Sequence, residues 1–269
     1  MKIWYNIKQE RVVIRMKENE FIPLISEKEE EQVIDLIKQY SINVSNLHIN
    51  ICNDRFIGGI FGNNINGEIK DYFKYNHFIE SINDIADKTK LSINMCLEYY
   101  KKVNYLKYNP ISNIINEEEY FAYYYMENAL FREIVLWEAL AQVYNIYFKL
   151  NLDITKVNYK YVIKKLENNS KIDFENLNKY IEEPKNLESL DTGVHKYVDD
   201  LRNQMTHRYS IAITSLSENY NLRAMPDTLY RIAKDYNMVM SKLCEIINII
   251  VEDTNSSNVK EKISNFDYN

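Results

Sequence analysis

The stretch Leu201-Arg202-Asn203-Gln204-Met205-Thr206-His207-Arg208 brings together side chains that could do chemistry in concert. It places a permanent planar cation, an amide and a titratable imidazole within about one and a half helical turns. Asn203 and His207 are four residues apart and share a helix face, with Arg202 on the adjoining flank. Arginine offers a fork that grips phosphate oxygens bidentately. Histidine accepts or donates a proton near neutral pH. Those two groups suffice to cleave RNA without a metal. A base helps the ribose 2′-hydroxyl attack its own phosphate, and a cation stabilises the charged phosphorane. Each residue alone also fits a plain structural role. Arg202 suits an ion pair with Asp199, three residues earlier, and His207 suits a helix C-terminus, where the dipole favours a cation. The combination is harder to reach by accident. With 8 Arg, 34 Asn and 4 His in the chain, Arg-Asn-x-x-x-His is expected by chance roughly 0.015 times, which favours a functional reading of the triplet.

The elements that must position this triplet follow from composition. The chain has 269 residues, 46% of them apolar, and only 5 Gly and 4 Pro. So few helix breakers favour long helices over a many-turned sandwich or barrel. The apolar share is enough to bury a core without disulfide or metal staples. The net charge of -6 excludes a broadly basic protein that coats nucleic acid, while leaving room for a local basic cleft. Cys52, Cys96 and Cys244 are odd in number and far apart, with no CxxC or Cys/His cluster. Neither a zinc site nor a disulfide framework is therefore expected, and no cofactor is implied. No leader-like h-region is read at the start, and no apolar run approaches the ~18 residues that span a bilayer. A soluble cytoplasmic protein without membrane association is the expectation. Lys outnumbers Arg 25 to 8, and Asn, Ile and Tyr are abundant, as in an A/T-rich bacterial genome.

Along the chain, Ser26 and Glu29 form a capping box for a helix from Glu27 to Tyr40. Leu47, Ile49 and Ile51 alternate with polar residues as in a half-buried strand. Four glycines between Gly58 and Gly67 lack the Gly-Lys-Ser/Thr ending of a phosphate loop and read as an irregular connection. Helical patterns then dominate. One or two helices run from Asp71 to about Lys107. Glu117 to Leu150 reads as one long helix, whose stripe Ala122, Met126, Ala129, Glu133, Leu136, Leu140, Val143, Tyr147, Leu150 steps by four and three. Shorter helices are read over Thr155 to Asn168 and Asp173 to Glu183. Asp191 can cap a helix from Thr192 to about Tyr209, and Pro226 suits the first turn of a last long helix. The expected organisation is a small mixed α/β segment over 1–70, a helical bundle over 71–254 and a tail over 255–269.

Arg202, Asn203 and His207 resemble the active-site motif of the HEPN superfamily, an Arg followed four to six residues later by His, with a polar residue often directly after the Arg. Phe131-Arg132-Glu133 to Tyr144-Asn145, on a long helix before the motif, is also similar to bacterial HEPN proteins, specifically the Cthe_2314-like HEPN group. The resemblance spans roughly residues 71–250. It implies an all-helical up-and-down bundle and a two-fold homodimer that places both motifs at one interface cleft. It further implies a metal-independent endoribonuclease of the toxin or defence type, leaving 2′,3′-cyclic phosphate ends, whose partners are RNA and a cognate antitoxin or regulator. Other members of the superfamily keep the fold as a non-catalytic RNA-binding or protein-interaction module, and fold alone does not choose between the two. In the catalytic reading His207 is general base or acid, Arg202 neutralises the scissile phosphate, and Asn203 orients the phosphate or His207. Relatives often add an acidic residue from another helix. Glu133 is the first candidate because it is the only charge in its stripe, with Arg202 as its expected partner. Asp199 competes as the local partner, and Glu138, nearer the polar edge, is third. His195, seven residues before Arg202, lies on the same face and is a candidate for RNA contact, as is Arg208. Two basic-aromatic runs could guide RNA: Tyr99-Tyr100-Lys101-Lys102 with Tyr105, Lys107 and Tyr108, and Tyr159-Lys160-Tyr161 with Lys164 and Lys165. Packed aromatics beside solvated lysines are the stronger reading of both.

Overall fold

No glycine or proline interrupts residues 117–147, so backbone hydrogen bonding can run unbroken for eight turns. A computed structural model shows that it does. The structure describes residues 3–7, 10–14, 23–42, 67–104, 117–207 and 225–256. An antiparallel hairpin of β1 (Ile3–Ile7) and β2 (Glu10–Ile14) pairs Ile3 with Ile14 and Ile7 with Glu10. The remaining elements are the helices α1 (Glu27–Lys38), α2 (Gly67–Tyr100), α3 (Glu117–Tyr147), α4 (Tyr159–Lys165), α5 (Phe174–Glu182), α6 (Val194–His207) and α7 (Met225–Ser256). The expected mainly helical architecture is what the structure has. The strand read at Leu47, Ile49 and Ile51, most of the glycine-rich segment, and Arg208 lie outside the described residues.

The capping box before α1 is formed: the Glu29 N–H donates to Ser26 Oγ at 3.3 Å, and the Ser26 N–H donates to Glu29 Oε2 at 2.8 Å. The stretch 71–107 gives one helix ending at Tyr100. The helix expected over Thr155 to Asn168 is instead a 3₁₀ turn, Ile154–Lys156, followed by α4. Two caps explain the break. Asp153 captures the Thr155 N–H, Asn158 captures those of Lys160 and Tyr161, and Val157 between them is extended. The α6 helix begins later than expected. Gly193, at φ +61°, precedes it, and a Cβ there would lie 2.1 Å from the Pro184 carbonyl oxygen. Only glycine fits. Asp191, read as its cap, instead accepts from Lys234 Nζ at 2.6 Å and Tyr230 Oη at 3.4 Å.

Helix α2 packs along α3, α7 crosses α3, α1 and α6, and α4 and α5 bridge from α3 to α6. The common core holds Trp137, Tyr123, Tyr144, Phe174, Tyr236 and Leu243, each essentially inaccessible to solvent. Ile25, Val33 and Ile37 around α1 join the same core, and Asn237 Nδ2 donates to the Leu36 carbonyl at 2.8 Å. Among the described residues, no helix is long and apolar enough to cross a membrane.

Candidate functional site

Burial fades along α6. Val194, His195, Tyr197, Val198, Asp199 and Leu201 are buried, whereas Arg202 to Met205 are half-buried and Thr206 is exposed. The helix therefore rises out of the core at the residues that could meet a substrate. Arg202 keeps 27% of its side-chain surface and donates through Nη2 to Asp199 Oδ1 at 3.3 Å. Asp199 is buried, with 5% of its side chain exposed, and its second oxygen accepts from Lys160 Nζ of α4 at 2.7 Å. One sheltered carboxylate thus holds two cations that both reach solvent.

Glu138 of α3 completes the cluster. Burial pushes its carboxyl above the usual carboxylate range and Asp199 adds to the rise, while the Tyr159 backbone N–H, Arg202 and Lys160 oppose it. The acidic residue of α3 beside Arg202 is therefore Glu138, the third-ranked candidate from sequence. Glu138 Oε2 and Arg202 Nε are buried without a hydrogen-bond partner among the described residues. Asn203 is half-buried on the same turn as Arg202. His207 closes α6, about 7.5 Å along the axis from Arg202 at 1.5 Å per residue.

Two residues expected at this site lie beneath it. His195 is fully buried and cannot touch RNA. Its Nδ1 faces both oxygens of Asp235 in α7, at 3.1 and 3.2 Å, and its Nε2 lies 2.9 Å from Tyr159 Oη. It shares a helical face with Arg202 but sits two turns deeper, where α3, α5 and α7 close over α6. Glu133 is also fully buried and faces Asp235 rather than Arg202. Burial, reinforced by the nearby Asp235 carboxylate, drives the Glu133 carboxyl well above its ordinary range. Asp235 further accepts from Trp137 Nε1 at 3.0 Å and Tyr180 Oη at 2.8 Å. Burial alone would raise the Asp235 carboxyl. The neighbouring His195 and these hydrogen bonds outweigh burial and hold it below the usual range. The pairing joins residues more than a hundred positions apart, for which helical spacing carries no signal.

The basic-aromatic runs divide. Tyr99 stacks on Tyr125 at 5.8 Å, Lys102 lies over the Tyr99 ring at 5.0 Å, and Lys101 pairs with Glu30, so the described part of the first run is packing. In the second, Tyr159 is core and Tyr161 is exposed, but Lys160 enters the Arg202 cluster. The only sequence signal for Lys160 was its place in that run.

The cluster sets two cations beside a carboxyl that burial raises above the usual carboxylate range, an arrangement that can hold an anion. Among the described residues, no group of three or more His, Cys, Asp or Glu side chains is arranged to hold a metal ion. Neither the curated proteins nor the solved structures contain a match to the chain. A family model does match: Cthe_2314-like HEPN, over residues 78–255, the span from mid α2 to the end of α7 that carries the whole cluster. The chain belongs to that HEPN family.

Proposed function

We propose that this protein is a metal-independent endoribonuclease that works as a homodimer. The observation that carries this reading is Arg202-Asn203-x-x-x-His207 on α6 of a HEPN chain, with Arg202 held at the point where the helix leaves the core. In the reaction, a base takes the proton of a ribose 2′-hydroxyl. The 2′-oxygen attacks the adjoining phosphorus and the bond to the 5′-oxygen breaks. An acid returns a proton to that leaving oxygen. The products are a 2′,3′-cyclic phosphate and a 5′-hydroxyl, with no other reactant consumed. His207 is the proton-transfer group, Arg202 neutralises the phosphorane, and Asn203 orients the phosphate or His207. The test is a single 2′-O-methyl group at the cleaved nucleotide. It should stop cleavage there and leave neighbouring sites untouched. Cleavage through a 2′-O-methyl nucleotide would refute the mechanism.

The surface of α3 supports the dimer. Tyr120, Tyr124, Phe131 and Val135, all about half exposed, step by four, seven and four along one face. Seven residues beyond Phe131, on the same face, is Glu138 of the charged cluster. A second copy packed on this stripe about a two-fold axis would bury it against itself and draw both clusters toward one seam. Phe131→Glu removes an aromatic anchor and adds a charge near its symmetry mate. It should weaken the dimer by about 2 kcal/mol or more, roughly 30-fold, with cleavage falling in step. Sedimentation showing an unweakened dimer would place the interface elsewhere.

Asp199 also supplies an observation for a second reading. Arg202 already has a local partner, as it would in a non-catalytic RNA-binding or protein-interaction module of this fold. That module would bind its partner and leave RNA intact.

A further inference from the structure

Lys160 lies outside the HEPN motif, on the short helix α4, forty-two residues before Arg202 in sequence. The fold nevertheless brings its ammonium group to the oxygen of Asp199 that Arg202 does not use, 2.7 Å away against 3.3 Å for the guanidinium. Asp199, with 5% of its side chain exposed, is held by both cations, one at each oxygen, and Glu138 lies beside them. The two cations are not sealed in by it: Lys160 keeps 35% and Arg202 27% of their side-chain surface. The ammonium also lies 5.6 Å from the centre of the Tyr159 ring, within cation–π reach. Asp199 therefore sets two positive groups a carboxylate's width apart, each partly open to solvent.

Glu138 decides how much positive charge the pair presents. Ionised, Glu138 and Asp199 together cancel Lys160 and Arg202. Protonated, it leaves one positive charge in excess. Its burial already favours the protonated form, and an incoming phosphate would favour it further.

We propose that Lys160 is a second phosphate-binding residue of the site, gripping an RNA backbone phosphate beside the one that Arg202 holds. Its partner is the polyanionic strand itself, read without base specificity. The proposal rests on RNA being the ligand of the cluster and is independent of whether that RNA is cut.

Binding is measured with a short mixed-sequence RNA made wholly of 2′-O-methyl nucleotides, which lack the attacking hydroxyl. The full chain and its Lys160→Gln and Lys160→Arg variants are titrated across a range of salt concentrations. One phosphate contact on a single strand contributes about 0.7 to the slope of log affinity against log salt. Lys160→Gln should flatten the slope by about that amount and weaken binding alike for unrelated sequences, and Lys160→Arg should restore both. A lysine that merely braced α4 would leave the slope alone. An unchanged slope in a folded Lys160→Gln variant overturns the proposal, as does failure of the wild-type chain to bind the oligonucleotide. Cleavage of unmodified RNA is scored separately. Lys160-dependent binding without cleavage would uphold this inference and remove the nuclease reading, whereas cleavage with an unchanged slope would do the reverse.

Discussion

Asp235→Ala is expected to destabilise the protein by about 3–5 kcal/mol, the cost of breaking a buried charged network by removing one member. The side chain is fully buried and gathers groups from three other helices: Trp137 and Glu133 from α3, Tyr180 from α5 and His195 from α6. Truncation leaves the indole N–H, the tyrosine O–H and the imidazole without their acceptor, and each buried unmade bond costs about 1–3 kcal/mol. For a chain of this size the melting temperature should drop by roughly 10 °C. Asp84→Ala is the control. Its pair with Lys88 is on the surface, and its loss should cost about 0.5 kcal/mol or less. Equal effects from the two variants would mean that the network does not hold the helices together.

The same network sets a pH dependence of opposite sign at its two carboxyls. The folded Asp235 carboxyl is held below its ordinary range. Its contribution is present above the unfolded pKa near 3.9 and is lost as pH falls through the folded value. The folded Glu133 carboxyl is held well above its ordinary range. Its contribution is complete below the unfolded pKa near 4.3 and is lost as pH rises toward the folded value. Glu133→Gln keeps the size of the side chain and cannot ionise. Denaturant midpoints at about pH 5 and about pH 8 should therefore differ less in the variant than in the wild type, with the variant gaining most at the higher pH.

Arg202→Ala should lower cleavage by about 10²–10³-fold, the loss seen when one group stabilising a developing oxyanion is removed. It should do so with little change in stability. Asp199 keeps Lys160 as a partner, and the lost pair is partly solvated, so the cost is about 1 kcal/mol or less. Arg202→Lys retains the charge and loses the planar fork. It should recover only a small part of the rate, and full activity in that variant would show that only a point charge is needed.

The long helices were legible because their signal is local. The stripe through Ala122, Met126, Ala129 and Leu136 fixes both the helix and its buried face, and the structure buries all four. The helix over the candidate triplet was legible for the same reason, and Arg202, Asn203 and the backbone of His207 lie on it. What failed was depth and partnership. His195 is on the right face at the wrong level, because burial changes along α6 and helical spacing reports only the angle around it. Glu133 is the lone charge of an apolar stripe, but its neighbour is Asp235, an acidic residue in the buried part of α7, and not Arg202. Bringing the two together required the packing of one helix on the other. Lys160 reached Arg202 by the same route, through a turn that two caps, Asp153 and Asn158, impose between α3 and α4.

The most direct test of the central claim is cleavage of a labelled mixed-sequence RNA in EDTA, with wild type beside Arg202→Ala and His207→Ala. The predicted result is cleavage by the wild type alone, leaving 2′,3′-cyclic phosphate ends, with all three proteins folded. Full activity in His207→Ala, or no cleavage by folded wild type, would contradict it.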